Sequence, residues 1–215
     1  MTRSDVLCLV SSVSFFTVGV FFGFTISIVS PPAAPSSLSN VALSQVVKPV
    51  GFLAKPVVKK LVSSADGFVW GQGKPQFTVF IDPNCVFCHQ FYLDAAPLVK
   101  SGKLSVRIVL VAVLEESSFI RASEILSAGH PLTWYLNNEQ HFLMPPIEQG
   151  GLSLKLPVSS AAKVDVSHNT AILRRLDQNH PATPTFVSPS GVVQVGLPSG
   201  EFTGLLRMMR SGGVQ

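Results

Sequence analysis

Cysteine is scarce in this chain, whose 215 residues include only Cys8, Cys85 and Cys88. A small fold held together by several disulfides is therefore excluded. A tetrahedral zinc site needs about four ligands, and His130, His141, His168 and His180 show no ligand spacing, so we expect no bound metal. Cys8 begins an apolar stretch, where it is expected to act as a small apolar side chain. One Cys-x-x-Cys pair remains for thiol chemistry.

Charge is also sparse, since charged residues make up 13% of the chain and the net charge is +4. The basic residues form no cluster beyond Lys59-Lys60 and Arg174-Arg175, and no basic face is interleaved with aromatic residues. We interpret both pairs as solvated helix faces. A nucleic-acid partner is therefore not expected.

Residues 6–29 contain no charged side chain at all. A helix of about 20 apolar residues crosses a bilayer, whereas the apolar core of a signal peptide has about 7–15 residues and precedes a small-residue cleavage site. The longer run and the Ser-Pro-Pro at 30–32 favour an uncleaved anchor. Arg3 precedes the run and no basic residue follows before Lys48, so the rest of the chain is expected to be exported.

These boundaries predict three segments: a cytoplasmic stub and transmembrane anchor (residues 1–29), a linker with a short helical stretch (30–66) and a globular domain (67–215). Within the anchor, Gly19, Gly23 and Ser27 recur every fourth residue, a spacing that lets membrane helices pack closely. We interpret it as the ordinary small-residue content of a membrane helix. The chain is expected to be a monomer, with an anchor-mediated dimer as the alternative.

The domain alternates between strand-like and helix-like patterns. Strands are predicted at residues 76–81, 104–114, 185–187 and 192–195. Helices are predicted at residues 85–99, 115–128, 132–142, 159–176 and 201–209. The order of strand, helix, strand, helical block, hairpin and helix is typical of an α/β fold with one parallel and one antiparallel strand pair.

The Cys-Val-Phe-Cys motif at residues 85–88 falls where a buried strand gives way to a helix. Unpaired backbone N–H groups and the helix dipole stabilise a thiolate at such a position. The three-residue offset places Cys88 one turn along the same helix face, within reach of a disulfide. This predicts an exposed nucleophile, Cys85, a buried resolving thiol, Cys88, and a redox-active disulfide between them.

Four ordered segments resemble the bacterial periplasmic disulfide isomerases of the DsbC and DsbG family. They are residues 80–91 (Phe-Ile-Asp-Pro-Asn-Cys-Val-Phe-Cys-His-Gln-Phe), 97–102 (Pro-Leu-Val-Lys-Ser-Gly), 182–186 (Ala-Thr-Pro-Thr-Phe) and 194–198 (Gln-Val-Gly-Leu-Pro). The resemblance implies a thioredoxin fold with a helical insertion for residues 67–215. It also implies that Thr183 and Pro184 form a substrate-contacting loop with a cis peptide bond beside Cys85.

Two features depart from this family. The isomerases carry an N-terminal dimerisation domain, whereas this chain has a span, a linker and a short helical stretch there. The dipeptide between the cysteines, Val86-Phe87, also differs, and it is expected to tune the redox poise together with His89. In addition, Val79 is apolar where thioredoxin buries a carboxylate near the second cysteine, so proton transfer from Cys88 must run through water or another group.

Two other functions are compatible with the same motif. Cys85-x-x-Cys88-His89 satisfies the attachment motif of a c-type haem, although the preceding strand and the Thr183-Pro184 loop have no role in that hypothesis. Alternatively, the chain is an anchored scaffold whose disulfide is purely structural.

The sequence predicts an extracytoplasmic thiol–disulfide oxidoreductase that forms, reduces or reshuffles disulfides without a cofactor. Its expected location is the bacterial inner membrane, with one span and the catalytic domain in the periplasm. The expected partners are exported cysteine-containing proteins and a membrane redox partner.

Overall fold

The structure of the chain, a computed structural model, describes residues 53–151, 157–198 and 202–211. The strands are β1 (Phe68–Trp70), β2 (Thr78–Ile81), β3 (Val106–Leu110), β4 (Thr185–Val187) and β5 (Val193–Val195). The helices are α1 (Lys55–Ser64), α2 (Val86–Lys100), α3 (Glu116–Ser127), α4 (Pro131–Gln140), α5 (Ser160–Leu176) and α6 (Phe202–Ser211).

The predicted anchor, residues 6–29, lies outside the described residues, as does the linker up to residue 52. Over the ranges that the structure describes, no helix has the length and apolar character needed to cross a bilayer.

The five strands form one sheet in the order β1-β3-β2-β4-β5. Strands β2 and β3 are parallel, with Phe80 opposite Val109, and α2 makes the crossover between them. The remaining pairs are antiparallel, and the hairpin between β4 and β5 turns at Gly191, whose φ of 88° suits glycine. The sheet brings the carboxyl ends of β2 and β3 to one edge, where the two cysteines follow β2.

A hydrophobic core lies on each face of the sheet, because successive strand residues point to opposite sides. Val79 and Ile108 face a core that includes both cysteines and residues of α2, α3, α4 and α6. Phe80 and Val109 face a second core formed with α1 and α5. All four of these strand side chains are fully buried, and each contributes roughly 1.5–3 kcal/mol through removal of apolar surface from water.

Strand β3 is shorter than the predicted run of residues 104–114 because a carboxylate ends it. Asp82 Oδ2 accepts the backbone N–H groups of Val113 and Leu114 at 2.8 and 3.1 Å. These N–H groups are thereby satisfied outside the strand ladder. The apolar run leaves the sheet at this point and enters the block of helices α3, α4 and α5.

The short strand β1 was not predicted. It has three residues, and the glycines on either side of it, Gly67 and Gly71, are typical of turns. The segment is a strand because its backbone pairs with β3. Three residues are too few for an alternation of apolar and polar positions to show in the sequence. The helical stretch predicted before the domain is the single helix α1, with Pro56 in its first turn, where a missing N–H costs nothing.

Arg107 is the polar exception in β3, and its guanidinium connects the sheet to α1. It donates to the carbonyl of Val62 at 3.0 Å and to that of Ala65. The last carbonyls of a helix have no partner within the helix. Burial lowers the pKa of Arg107, and the charge of Asp66 opposes this shift. The guanidinium therefore holds the end of α1, although its burial costs desolvation free energy.

Asn169 is a fully buried amide in α5 that holds the segment before β1. Its Oδ1 accepts the N–H of Asp66 at 2.9 Å. Its Nδ2 donates to the carbonyls of Asp66 and Leu110 at 3.0 and 3.1 Å. One side chain therefore satisfies three backbone groups on two different segments.

We expect Asn169→Ala to lower the free energy of unfolding by roughly 2–4 kcal/mol, because several buried polar groups lose their partner. Denaturant unfolding of the domain measures this loss. His168→Ala, at the exposed neighbouring position of the same helix, serves as the control and should change stability by less than about 0.5 kcal/mol. Equal effects of the two substitutions would show that the Asn169 bonds do not hold this segment.

Candidate active site

Cys85 is the N-cap residue of α2 and lies directly beyond the end of β2. Its Sγ accepts the backbone N–H of Cys88 at 3.4 Å. The turn before it is fixed by Asp82, whose carbonyl accepts the N–H of Cys85 at 3.1 Å and whose Oδ1 accepts the N–H of Asn84 at 2.9 Å. The strand-to-helix position predicted for the motif is confirmed by this geometry.

The Cys85 sulfur is placed for ionisation. The hydrogen bond from the Cys88 side chain lowers the pKa of Cys85 most, and burial opposes it. The backbone N–H groups of Cys88 and Phe87 lower it further, so the pKa reaches about 7. A thiol with this pKa is substantially ionised at neutral pH, the form in which cysteine is a nucleophile.

Cys88 has the opposite environment, although it lies one turn along the same helix. Its side chain is fully buried. Burial raises the pKa of Cys88 well above its usual range, and hydrogen bonding and charge from Cys85 raise it further. Both cysteines are free thiols in the structure, and only Cys85 is poised as a thiolate.

Contrary to the expectation of an exposed nucleophile, Cys85 is itself 4% exposed. The loop before β4 covers it: in the thiol form, Sγ donates to the carbonyl of Thr183 at 3.3 Å. The Thr183–Pro184 peptide bond is cis, as the resemblance led us to expect. The Pro184 carbonyl accepts the N–H of Gly196 at 2.8 Å, which attaches this loop to the segment after β5.

The residues expected to tune the thiols take different positions. Phe87 is 62% exposed beside Cys85, and Val86 is partly exposed. His89 points inward from α2: its Nδ1 lies 3.0 Å from Glu139 Oε2, and its ring stacks on Phe142. Use of His89 as a haem ligand would require it to leave this buried partner.

Asn84 joins the turn before Cys85 to the helical block, and sequence reasoning missed it. Its Nδ2 donates to Glu115 Oε1 and Ser117 Oγ at 2.8 Å each and to Ser118 Oγ at 3.2 Å. Its Oδ1 accepts the N–H of Gly150 at 3.1 Å. Four contacts from one buried amide hold the turn in a single position.

Glu139 was also missed, although the sequence carries a signal for it. Leu132, Tyr135, Leu136 and Glu139 follow the i, i+3, i+4, i+7 spacing of one helix face. A carboxylate that falls on an otherwise apolar face is expected to be buried and paired. Glu139 is 1% exposed, and its partner is His89.

No protein-family model matches the chain. The thiol:disulfide interchange protein DsbG of Escherichia coli is 33% identical over 127 residues, which cover 56% of this chain and 47% of that protein. DsbG of Pseudomonas aeruginosa is 32% identical over 62 residues, covering 29% of this chain and 24% of that protein. The chain thus matches less than half the length of each of these relatives.

Solved structures share the fold. Proteus mirabilis ScsC in a compact conformation has a TM-score of 0.56 at 17% identity, with 76% of this chain and 81% of that chain covered. A periplasmic thioredoxin-like protein from Salmonella enterica serovar Typhimurium has a TM-score of 0.55 at 16% identity, with coverage of 74% and 97%. The predicted α/β thioredoxin-like fold is confirmed by these likenesses.

We expect alkylation of the reduced protein by iodoacetamide to occur at Cys85 with a pH midpoint of about 7, because only the thiolate reacts. Mass spectrometry locates the modified residue. Cys88→Ala removes the largest contribution that lowers the pKa of Cys85, so the midpoint should rise towards the ordinary value of about 8.5. Equal alkylation of Cys88, or a wild-type midpoint near 8.5, would contradict the assignment.

Proposed function

Because the chain is a homologue of the thiol:disulfide interchange protein DsbG and has a thioredoxin-like fold, we propose that it is a thiol–disulfide oxidoreductase acting through Cys85 and Cys88. The observation that carries this proposal is the asymmetry of the two thiols. Cys85 begins a helix with a pKa of about 7, whereas Cys88 is fully buried one turn later.

In the reducing direction, the Cys85 thiolate attacks one sulfur of a substrate disulfide. The other substrate sulfur leaves with the electron pair of the broken bond, and a mixed disulfide forms. The Cys88 thiolate then attacks Cys85 Sγ and displaces the first substrate sulfur. The substrate gains two electrons and the dithiol loses two, while the two protons of the dithiol balance the two new substrate thiols. The reverse sequence donates a disulfide.

Substrate binding is proposed at the surface where Cys85, Phe87 and the loop of Thr183 and Pro184 meet. The exposed ring of Phe87 offers an apolar contact next to the nucleophile. Cys85 is nearly covered, so a substrate chain has to approach along the Thr183 loop to reach its sulfur. Substrates of this kind are exported proteins with exposed or transiently exposed cysteines.

The proposed setting is the periplasmic face of a bacterial inner membrane, with residues 6–29 as an uncleaved anchor. The support is the uncharged apolar run and the position of Arg3 before it. Disulfide exchange is productive in an oxidising compartment outside the cytoplasm. A membrane redox partner would restore the dithiol or the disulfide, and the direction of electron flow follows from the potentials of the two couples.

Replacement of Cys85 by Ser should abolish thiol–disulfide exchange, because the nucleophile is lost. Cys88→Ser should instead accumulate mixed disulfides between Cys85 and substrates, because no thiol remains to resolve them. Non-reducing electrophoresis with mass spectrometry identifies these adducts. Cys8→Ser is the matched control and should leave exchange unchanged. Activity retained by Cys85→Ser, or a Soret band of covalently bound haem in the purified protein, would refute the proposed chemistry.

The fragment of residues 51–215 should be monomeric and weak at rescuing a scrambled multi-disulfide substrate, since the element that the structure describes before β1 in this fragment is the short helix α1. Sedimentation and a refolding assay measure these two properties. A dimeric, active fragment would contradict this prediction and show that residues 51–215 are sufficient for dimerisation.

For the full-length chain, we expect the anchor only to tether the domain. Crosslinking in membranes should therefore be the same for the wild type and for a Gly19→Leu, Gly23→Leu variant, with Phe21→Leu as the control. Loss of crosslinking in the double variant alone would show that the small residues pair two anchors.

A further inference from the structure

The charged residues of the domain are divided between the two ends of the sheet. The end that carries Cys85 consists of the turns after β2 and β3 and the loop after α4, which bonds to Asn84 through the N–H of Gly150. No Lys or Arg occurs in these segments, which are residues 82–87, 111–118 and 142–151. Their acidic residues are the buried Asp82 and the exposed Glu115, Glu116 and Glu148. This end is therefore acidic.

Three loops meet at the opposite end of the sheet. Residues 71–77 lead into β2 and residues 101–105 lead into β3, and these two strands are parallel. The turn of residues 188–191 follows β4, which is antiparallel to β2, so that Val187 lies opposite Thr78 at the start of β2. All three loops therefore lie at the amino ends of β2 and β3, a strand length away from the cysteines.

Three helices reach the same end. Helix α2 ends there because it makes the crossover to β3. The last turn of α6 is held by Arg210, whose Nε donates to Gln76 Oε1 at 2.8 Å and whose Nη2 donates to the carbonyl of Lys103 at 3.1 Å. Helix α1 contributes Lys59, which lines a cavity of about 240 Å³ together with Lys74. Segments that are distant in the sequence are thus neighbours here.

Six exposed cations from four of these segments form a surface that we call the basic end: Lys59, Lys74, Lys100, Lys103, Arg207 and Arg210. No Asp or Glu occurs in the segments that meet there, which are residues 59–64, 71–77, 100–105, 188–191 and 207–211. The acceptors of Arg210 are a neutral amide and a carbonyl, so its charge is not neutralised. The sequence shows no such cluster, because the fold alone brings these residues together.

The basic end is polar as well as charged. Among the residues that the structure describes, no exposed large apolar side chain lies in the segments that form it. Protein interfaces have an apolar core with aromatic anchors, and sites for single-stranded nucleic acid add aromatic side chains on which bases stack. Anionic lipid headgroups, in contrast, attract clustered Lys and Arg through charge alone. The composition of the basic end therefore favours a lipid surface.

The chain enters the domain next to the basic end. Lys55, the first residue of α1, packs on the turn between β4 and β5, where a Cβ added to Gly191 would lie 2.7 Å from the Lys55 carbonyl oxygen. Residues 30–52 connect this part of the chain to the proposed anchor. A chain of this length, about 23 residues, spans at most about 80 Å. The covalent connection therefore keeps the domain within reach of the bilayer and begins at its basic end.

We propose that the basic end binds the anionic phospholipid headgroups of the membrane and thereby turns Cys85 away from the bilayer. This inference rests on the anchor in the proposed function and does not depend on the exchange chemistry. An anionic surface attracts the cations of the basic end and repels the acidic residues at the other end, so both ends favour one orientation. The attraction acts within a Debye length, about 10 Å at 0.1 M salt, so it requires contact with the surface.

This orientation determines which partners can reach the nucleophile. Cys85 faces the compartment outside the membrane, where exported chains have direct access to it. A compact domain of about 160 residues is roughly 40 Å across. A membrane redox partner therefore has to carry its cysteines about that far above the bilayer, on an extramembrane domain or a long loop. Cysteines held at the membrane surface would meet the basic end instead.

The test measures the orientation of the full-length chain in lipid nanodiscs by energy transfer to an acceptor dye on the lipid headgroups. The three native cysteines are replaced through Cys8→Ser, Cys85→Ser and Cys88→Ser, so exchange chemistry plays no part. One new cysteine then carries the donor dye. Ser190→Cys places it at an exposed position of the basic end, and Leu114→Cys places it at the acidic end, where Leu114 is 56% exposed.

On nanodiscs that contain phosphatidylglycerol, energy transfer from position 190 should exceed that from position 114, because the basic end is then the part of the domain nearest to the lipid. The two transfer efficiencies should become equal on nanodiscs of phosphatidylcholine, which has no net charge. They should also become equal on phosphatidylglycerol in about 0.5 M salt, where the Debye length is only roughly 4 Å.

Lys74→Glu combined with Lys103→Glu should remove the difference on phosphatidylglycerol. Each basic residue near an anionic surface contributes a factor of about five to binding, so the loss of two should weaken the oriented state by at least about 30-fold. Titration of the phosphatidylglycerol content measures this change. Lys163→Glu combined with Arg174→Glu is the matched control, with the same change in charge at exposed positions of α5, and should keep the difference.

Equal transfer from the two positions on phosphatidylglycerol would overturn the inference, and it would do so in favour of a nucleic acid if duplex DNA binds the same protein through the basic end. A difference that persists on phosphatidylcholine would also overturn it, because charge would then not set the orientation. Circular dichroism establishes that each variant is folded. A chain that does not insert into phosphatidylcholine nanodiscs would refute the anchor, and this inference with it, but not the exchange chemistry.

Discussion

The carboxylate of Asp82 organises the edge of the sheet on which the site depends. It lies at the end of β2, is fully buried, and accepts backbone N–H groups from its own turn and from the segment after β3. Burial raises the pKa of Asp82, and the bonds from Val113 and Asn84 offset part of this. The turn that presents Cys85 and the exit of the chain from β3 are therefore fixed by one side chain.

Hydrogen bonds to helices α3 and α4 also hold the turn that Asp82 fixes. Asn84 bonds to the start of α3, and Asn138 in α4 donates to the carbonyl of Pro83 at 3.0 Å. The turn between β2 and α2 is thus held from two helices that follow later in the chain. Buried polar networks of this kind specify one arrangement when every member is satisfied, and here that arrangement sets the direction of the first turn of α2.

Sequence patterns predicted the elements whose signals are local. The bounds of β4 were predicted as observed, and the Cys-x-x-Cys pair was placed correctly at a strand-to-helix junction. The end of β3 was not predicted, because it depends on the carboxylate of Asp82, in the turn that follows β2. The His89–Glu139 pair joins residues 50 positions apart, and no periodicity within one element indicates which histidine meets which carboxylate.

The lowered pKa of Cys85 has a thermodynamic consequence through proton linkage. The folded pKa of about 7 lies below the unfolded value of roughly 8.5, so the reduced fold gains stability as pH rises from about 7 and loses it as pH falls through that value. The raised pKa of Cys88 acts against this only above about pH 8.5, where the unfolded thiol ionises. When Cys85 and Cys88 form a disulfide, Cys85 is no longer a thiolate, and this contribution to the stability of the fold is lost. Near neutral pH, part of the stability of the reduced fold therefore depends on Cys85 being a thiolate.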